Sequence, residues 1–246
     1  VIYALNLIFG LGPSLLFLIW VERNCSLPWL GIELGWPWPL FSDWAGRLIF
    51  SPAWTAAWDA SLILLFGAIH TGLAQAGPRR HLPRPAYVIV TGVSLFLVMG
   101  FWQPTGIVLW SPHLPWAVLQ GLSFLCFWGL MLGSLRAMRG FDFWEFLGLK
   151  PAKPSSPSSP LRRDGAYAWV RHPMYSFTLA AFVISPFLTL DRLVVFLASA
   201  AYLAFGIPIE ERKLLATFGP AYARYRAETP ALVPRFWRKK RLSASV

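Results

Sequence analysis

Two stretches in the C-terminal third carry most of the side chains that could do chemistry. The first is Arg171-His172-Pro173-Met174-Tyr175, preceded by Gly165-Ala166-Tyr167. The second is Glu210-Glu211-Arg212-Lys213, followed by Phe218-Gly219-Pro220, Tyr222 and Tyr225. Pro173 suits the first turn of a helix and pushes His172 toward an extended conformation just before it. Arg171 and His172 then project from a fixed loop at a helix N-terminus. Unpaired backbone N–H groups there favour an anion, and Arg171 adds a fork that fits a carboxylate. Glu210 and Glu211 are consecutive, so on a helix they point about 100° apart. One is expected to face the site while the other pairs with Arg or Lys. Each piece also has an ordinary reading: His-Pro as a turn, Glu-Glu-Arg-Lys as a solvated helix start, Tyr222 and Tyr225 as packing residues. What sets them apart is their joint order and spacing.

These stretches can meet only if the chain between them folds back. Apolar runs near 173–190 and 192–209, joined by little more than Leu190-Asp191-Arg192, read as a tight antiparallel hairpin that returns both stretches to one membrane face. Four more apolar runs lie near 1–20, 56–76, 86–103 and 115–135, each about long enough to cross roughly 30 Å of hydrocarbon. The expected fold is therefore all-α: a single polytopic membrane helix bundle of about six transmembrane helices plus a C-terminal cytoplasmic amphipathic helix. Four spans fill 1–135. A cytoplasmic segment follows at 136–171, with a flexible Pro/Ser tether at 151–160, and 172–235 forms the hairpin and terminal helix that hold the site. Residues 1–20 lack a small-residue cleavage pattern and are expected to be a membrane helix rather than a signal peptide. With Val1 in first place, the natural N-terminus is expected upstream.

Composition agrees. The chain has 246 residues, 56% hydrophobic and only 13% charged, against roughly 25% charged in soluble domains. That excludes a soluble single domain and a disordered chain. The formal net charge is +11. Basic residues of this kind hold cytoplasmic loops against anionic lipid, and no soluble basic module is long enough to suggest nucleic acid. Cys25 and Cys126 are the only cysteines, so neither a disulfide framework nor a thiolate metal site follows.

Of the 22 Lys and Arg, only Arg23, Arg47 and Arg192 fall in the segments 21–55, 104–114 and 191–192. The other 19 fall in 77–85, 136–171 and 210–246. This alternation places both termini and the 136–171 segment in the cytoplasm. The 21–55 segment, with Trp29, Trp36, Trp38 and Trp44, reads as an interfacial loop or as a surface for a membrane-complex partner.

The order of Gly165-Ala166-Tyr167, Val170 through Tyr175, Glu210-Glu211, Phe218-Gly219, Tyr222, Tyr225 and Pro234 resembles the C-terminal signature of the membrane methyltransferases. That family includes isoprenylcysteine carboxyl methyltransferase and the phospholipid N-methyltransferases. It usually has Gly-Pro-Tyr where Gly165-Ala166-Tyr167 stands here, and often a Gly at the place of Ser176. Upstream, Asp59, Phe66, His70-Thr71, Trp102-Gln103-Pro104, Phe141-Asp142 and Phe146-Leu147-Gly148-Leu149 are similar to the six-span branch that holds methanethiol S-methyltransferase and NnrU-type proteins.

The resemblance implies S-adenosylmethionine as methyl donor, held by Gly165, Tyr167, Arg171, His172, Pro173, Tyr175, Glu210, Glu211 and Tyr222. Glu210 or Glu211 takes its ammonium. Arg171 and His172, with the helix N-terminus, take its carboxylate. Aromatic faces attract its sulfonium. Arg171, His172 and Glu210 are the expected catalytic group, and His172, Glu210 and Glu211 are the candidate bases should one be needed. His70 and Trp102 are the acceptor-pocket candidates, with an interhelical hydrogen bond as the other role for His70. The implied acceptor is a small or lipophilic molecule, a thiol or a lipid- or prenyl-type substrate, reached from the bilayer of a prokaryotic inner membrane. The alternative is an accessory, non-catalytic subunit of a larger membrane complex that keeps a methyltransferase-like fold.

Overall fold

A computed structural model describes residues 2–24, 51–80, 83–137, 142–150 and 161–235. Most of the Trp-rich loop and the whole Pro/Ser tether fall outside the described residues. Within them the chain is helical, apart from one two-stranded ribbon. The first helical run joins α1 (Ile2–Asn6), a π-helical stretch (Leu7–Leu11) and α2 (Gly12–Asn24). Then come α3 (Pro52–Arg80), α4 (Arg84–Phe101), β1 (Val108–Trp110), α5 (Trp116–Ala137) and the single turn α6 (Phe143–Phe146). A 3₁₀ turn (Gly165–Ala168) leads to α7 (Pro173–Val183), β2 (Leu188–Thr189), α8 (Leu190–Phe218) and α9 (Pro220–Glu228).

Among the described residues, four helical runs are long and apolar enough to cross a membrane: Ile2–Glu22, Pro52–Gln75, Arg84–Phe101 and Leu190–Phe218. The protein is an integral membrane helix bundle. The helices form a ring in which α2 packs on α4, α4 on α3, α3 on α8, α8 on α7 and α7 on α5, with α5 touching α2 to close it. Val21, Ile63, Val98, Phe127, Ala181 and Val195 meet in its centre. Two glycines permit close approach. A Cβ on Gly92 of α4 would overlap the carbonyls of Phe9 and Gly10, which the π-helical stretch turns toward it. A Cβ on Gly67 of α3 would overlap the ring of Tyr202 on α8.

The fifth apolar run departs from the sequence reading. Instead of filling 173–190, α7 stops after 11 residues, about 16 Å of rise, half a membrane. Pro186, which lacks an N–H and crowds the preceding turn, disfavours further helix there, and the chain bends through 185–187 into β2, which pairs antiparallel with β1, Val108 opposite Thr189. The hairpin bend therefore precedes Leu190, and Leu190, Asp191 and Arg192 are the first turn of α8. A helix that ends inside a bundle leaves carbonyls unpaired, at high cost in a medium without water. Arg192, 1% exposed, solves this. Its Nε donates to the carbonyl of Phe182 at 3.0 Å and its Nη2 to that of Ala181 at 3.1 Å. Asp191 accepts from the backbone N–H and the hydroxyl of Thr105 at 2.9 and 2.8 Å. Arg192 is thus no loop charge, as the sequence count took it to be, but the cap of a broken helix.

Both ends of the ring are pinned by polar contacts. At one, Asp59 accepts from the N–H of Gln103, and the indole of Trp58 donates to the carbonyl of Phe101. At the other, Asn6 donates to the carbonyls of Leu147 and Gly148, and Arg84 donates twice to that of Phe146. The segment 142–150 is thereby fastened across the ends of α1 and α4. Lys213 of α8 reaches the carbonyl of Ala74 on α3 at this same end.

Candidate functional site

The two polar stretches lie together at this second end. Pro173 opens α7 with His172 in a non-helical conformation before it. Gly219, at φ +53°, breaks the chain between α8 and α9, and Pro220 starts the new helix. This fold-back sets α9 across the mouth of the α7–α8 pair. The chain after α9 then runs beside residues 171–172: the N–H of Arg171 donates to the carbonyl of Pro230 at 2.8 Å and that of His172 to Ala231 at 3.0 Å. The hydroxyl of Ser176 adds a bond to the carbonyl of Leu232.

The consecutive glutamates take different roles. Glu211 is 3% exposed and sits at the centre of a cluster. Its Oε1 is 2.7 Å from Nε of Arg171 and 3.1 Å from Nε2 of His172, and its Oε2 is 3.1 Å from Nε of Arg226. Arg171 also donates through Nη1 to the carbonyls of Arg226 and Thr229. Nε and Nη1 of Arg171 are thus engaged by the protein itself. Glu210 has a side chain 44% exposed. It accepts one hydrogen bond, from the hydroxyl of Tyr175 at 2.9 Å, and lies 3.9 Å from Nδ1 of His172. The rings of His172 and Tyr175 stack with centroids 5.5 Å apart. Tyr167 and Tyr202 lie close enough to Glu210 to feel its charge. Glu210 is thus a half-open carboxyl group bonded to the Tyr175 hydroxyl, near Tyr167 and Tyr202, and held beside a buried ion cluster.

Gly165, at φ +59°, begins the turn that carries Tyr167. The carbonyl of Tyr167 accepts from the hydroxyl of Tyr225 at 2.6 Å, and its ring lies under the Arg162 guanidinium. Burial pushes the Tyr225 phenol up to about 12, with Tyr167 adding to it. Burial, then the charge of Glu211, raises that of Tyr222. Both phenols therefore stay protonated and able to donate.

The two acceptor-pocket candidates part company. His70 on α3 bonds with Tyr87 and Thr91 of α4, at the end where Glu210 lies. Tyr175 is within electrostatic range of Glu210, Tyr202 and Tyr87. Trp102 follows the far end of α4, about 22 Å of helix away from Tyr87, packed edge-on against Trp20 and 5% exposed. It is a core residue at the opposite end of the ring, not a neighbour of the site. Sequence reasoning missed Tyr87, Tyr202 and Arg226. The signal for the first two was a phenol within an apolar span, which needs a partner.

No family model matches the chain, and no solved structure matches it at a significant level. Curated relatives do. A methanethiol S-methyltransferase of Pseudomonas sp. is 32% identical over 193 residues, covering 72% of each chain. Methanethiol S-methyltransferase 2 of Bradyrhizobium diazoefficiens is 31% identical over 195 residues, 73% of each. Nurim of Sus scrofa is 32% identical over 181 residues, 64% of this chain and 67% of its own.

Proposed function

The chain belongs to the isoprenylcysteine methyltransferase-like family of membrane proteins, and from that premise we propose that it moves a methyl group from S-adenosylmethionine to a thiol. The observation that carries this reading is the pairing of a half-open Glu210 with a locked Glu211 at the mouth of the α7–α8 pair. The donor set suits the molecule. Glu210 offers a carboxylate to its ammonium. The first-turn N–H groups of Met174 and Tyr175 have no carbonyl within α7 to bond and offer themselves to its carboxylate. The ring of Tyr175 attracts a sulfonium, Tyr167 stands near Glu210 on the same rim, and Tyr222 of α9 closes the wall. When bound, S-adenosylmethionine supplies a methyl carbon on a positively charged sulfur.

The protein's own residues divide the remaining work. Arg171, His172 and Glu211 act as positioning groups: they fix α9 and the chain at 229–232 over the site and hold Tyr175 against Glu210. Holding acceptor and methyl in line is where most of the rate gain arises in such a displacement. The Lys- and Arg-rich end of the ring faces the cytoplasm of a prokaryotic inner membrane, so that the donor arrives from water and the acceptor from lipid.

The test is direct. Detergent-purified protein, supplied with methanethiol and methyl-labelled S-adenosylmethionine, is expected to release labelled dimethyl sulfide into the headspace. Label passing only to amines or prenylated cysteine, with none to any thiol, would overturn the thiol assignment.

A further inference from the structure

A slot of about 270 Å³ runs along the seam between α3 and α4. Trp58, Leu65 and Ile69 wall it from α3, and Ser94, Leu97 and Phe101 wall it from α4. It opens on the outside of the ring, where Leu65 and Leu97 are 59% and 46% exposed. Both helices are long and apolar enough to span a membrane, so the medium at its mouth is hydrocarbon. The lining residues carry no charge. Their one hydroxyl, that of Ser94, donates to the carbonyl of Val90 at 2.7 Å, and the indole N–H of Trp58 donates to the carbonyl of Phe101 at 2.9 Å. With both donors spent inside the protein, nothing in the slot calls for a polar ligand.

Its dimensions select the occupant. From Trp58 to Ile69 the slot follows α3 through a rise of about 16 Å. Half of a hydrocarbon core roughly 30 Å thick is nearly the same, so the slot is one leaflet deep. Its ends differ. The bond between Trp58 and Phe101 closes one of them, and Trp54, one turn nearer the start of α3, is 70% exposed there. Trp gathers at the level of the lipid headgroups, which sets this end at the membrane surface and the Ile69 end near the midplane. The surface is the one away from Glu210, where Asp59 holds Gln103. Spread over its length, the volume gives a cross-section of about 17 Å². A helix about 10 Å across needs about 80 Å². The slot therefore shuts out a helix, whether from a partner or from a second copy, and it is longer than any side chain that either could insert. An extended alkyl chain meets both measures: it is one methylene wide and one leaflet long.

We propose that this slot binds one acyl chain of a phospholipid from the leaflet opposite the Glu210 site. The glycerol and headgroup lie beside Trp54 and Trp58, and the chain runs between Leu65 and Leu97 toward Ile69. Lipid tails are as apolar as the slot, so no hydrophobic gain separates it from the bilayer. What holds the chain is close contact with fixed walls along its length, many weak attractions that mobile neighbouring tails do not supply together. The site stands apart from the methyl-transfer reading and uses none of its residues.

The test is photo-labelling of the full chain in phosphatidylethanolamine nanodiscs that contain a trace of the same lipid with a diazirine midway along one acyl chain. Peptides bearing Leu62, Leu65 and Leu97 are expected to take several times the label of peptides bearing Leu125 on α5 and Leu197 on α8. Those two residues are as open to lipid (67% and 54% exposed) but lie outside the slot. Leu97→Trp and Leu65→Trp each fill the slot from a position already exposed, so both variants should fold, as a single symmetric elution peak would report. Each should cut labelling of the opposite wall at least threefold and leave Leu125 and Leu197 as they were. Even labelling of slot and control peptides would reduce the slot to ordinary bilayer contact and overturn the proposal. Label that neither variant moves would do the same. Slot peptides without label in a protein that cross-links as a dimer would give the slot to a second copy and overturn it as well.

Discussion

Nε of Arg171 lies 2.7 Å from Oε1 of Glu211, across forty residues of chain that leave one face of the ring and return to it. The same carboxylate holds His172 and Arg226. One buried anion therefore ties the start of α7, the end of α8 and the last turn of α9 into a single knot. Beside it, Glu210 is left half open toward the aromatic rim.

Glu211→Gln keeps the shape and removes the charge. The buried Arg171 guanidinium then loses its carboxylate partner, and breaking one side of a buried pair costs about 3 kcal/mol or more. Thermal unfolding in detergent should show a clear fall in Tm. Glu210→Gln, at the exposed neighbour, should leave Tm nearly where it was. Equal shifts for the two would contradict the division of roles.

Arg192→Leu strands the carbonyls of Ala181 and Phe182. Each buried polar group left without a partner costs about 2 kcal/mol. The variant should melt at lower temperature, and hydrogen exchange should rise most at the C-terminal turn of α7. Unchanged protection there would show that the guanidinium does not cap the helix.

Tyr225 gives a pH dependence with a definite sign. Its phenol is raised from the ordinary value of about 10 to about 12 by burial and the nearby Tyr167. A raised value means that the folded protein prefers the protonated form. The stability it contributes is complete below about pH 10 and is lost as pH climbs through about 12. Alkaline unfolding followed by near-UV circular dichroism should therefore show a loss between those limits that Tyr225→Phe lacks. The variant should also be less stable at neutral pH, because the bond to the Tyr167 carbonyl is gone.

The meeting of Arg171 and His172 with Glu210 and Glu211 was legible in the sequence, because a hairpin of apolar runs leaves few places for its two polar ends. The split between the glutamates was not. Consecutive residues on a helix differ only in direction, and α8 must first be rotated against α7 before Glu211 can be known to face inward. Arg192 was misread for a related reason: a charge between two apolar runs looks like a loop charge until the helix before it is seen to stop at Val183. Pro186 was the available signal, since it ends α7 early and creates the carbonyls that need a cation. His70 was visible as an ionisable group within a span, yet its partner Tyr87 sits on another helix, and only the packing of α3 on α4 brings them together. Trp102 shared a run of motif residues with Gln103 and Pro104, but it belongs to the opposite end of the ring, where it fills the core.

The central claim is that Glu210, in its setting of Tyr167, Tyr175 and the α7 N-terminus, grips the methyl donor. It is tested most directly by isothermal titration of S-adenosylmethionine into detergent-purified wild type and Glu210→Gln, two proteins expected to be equally stable. The wild type should bind with one site per chain, and Glu210→Gln should lose at least tenfold in affinity through the missing partner for the ammonium. Wild type that takes up no donor, or a variant that binds as tightly as wild type, would contradict the account.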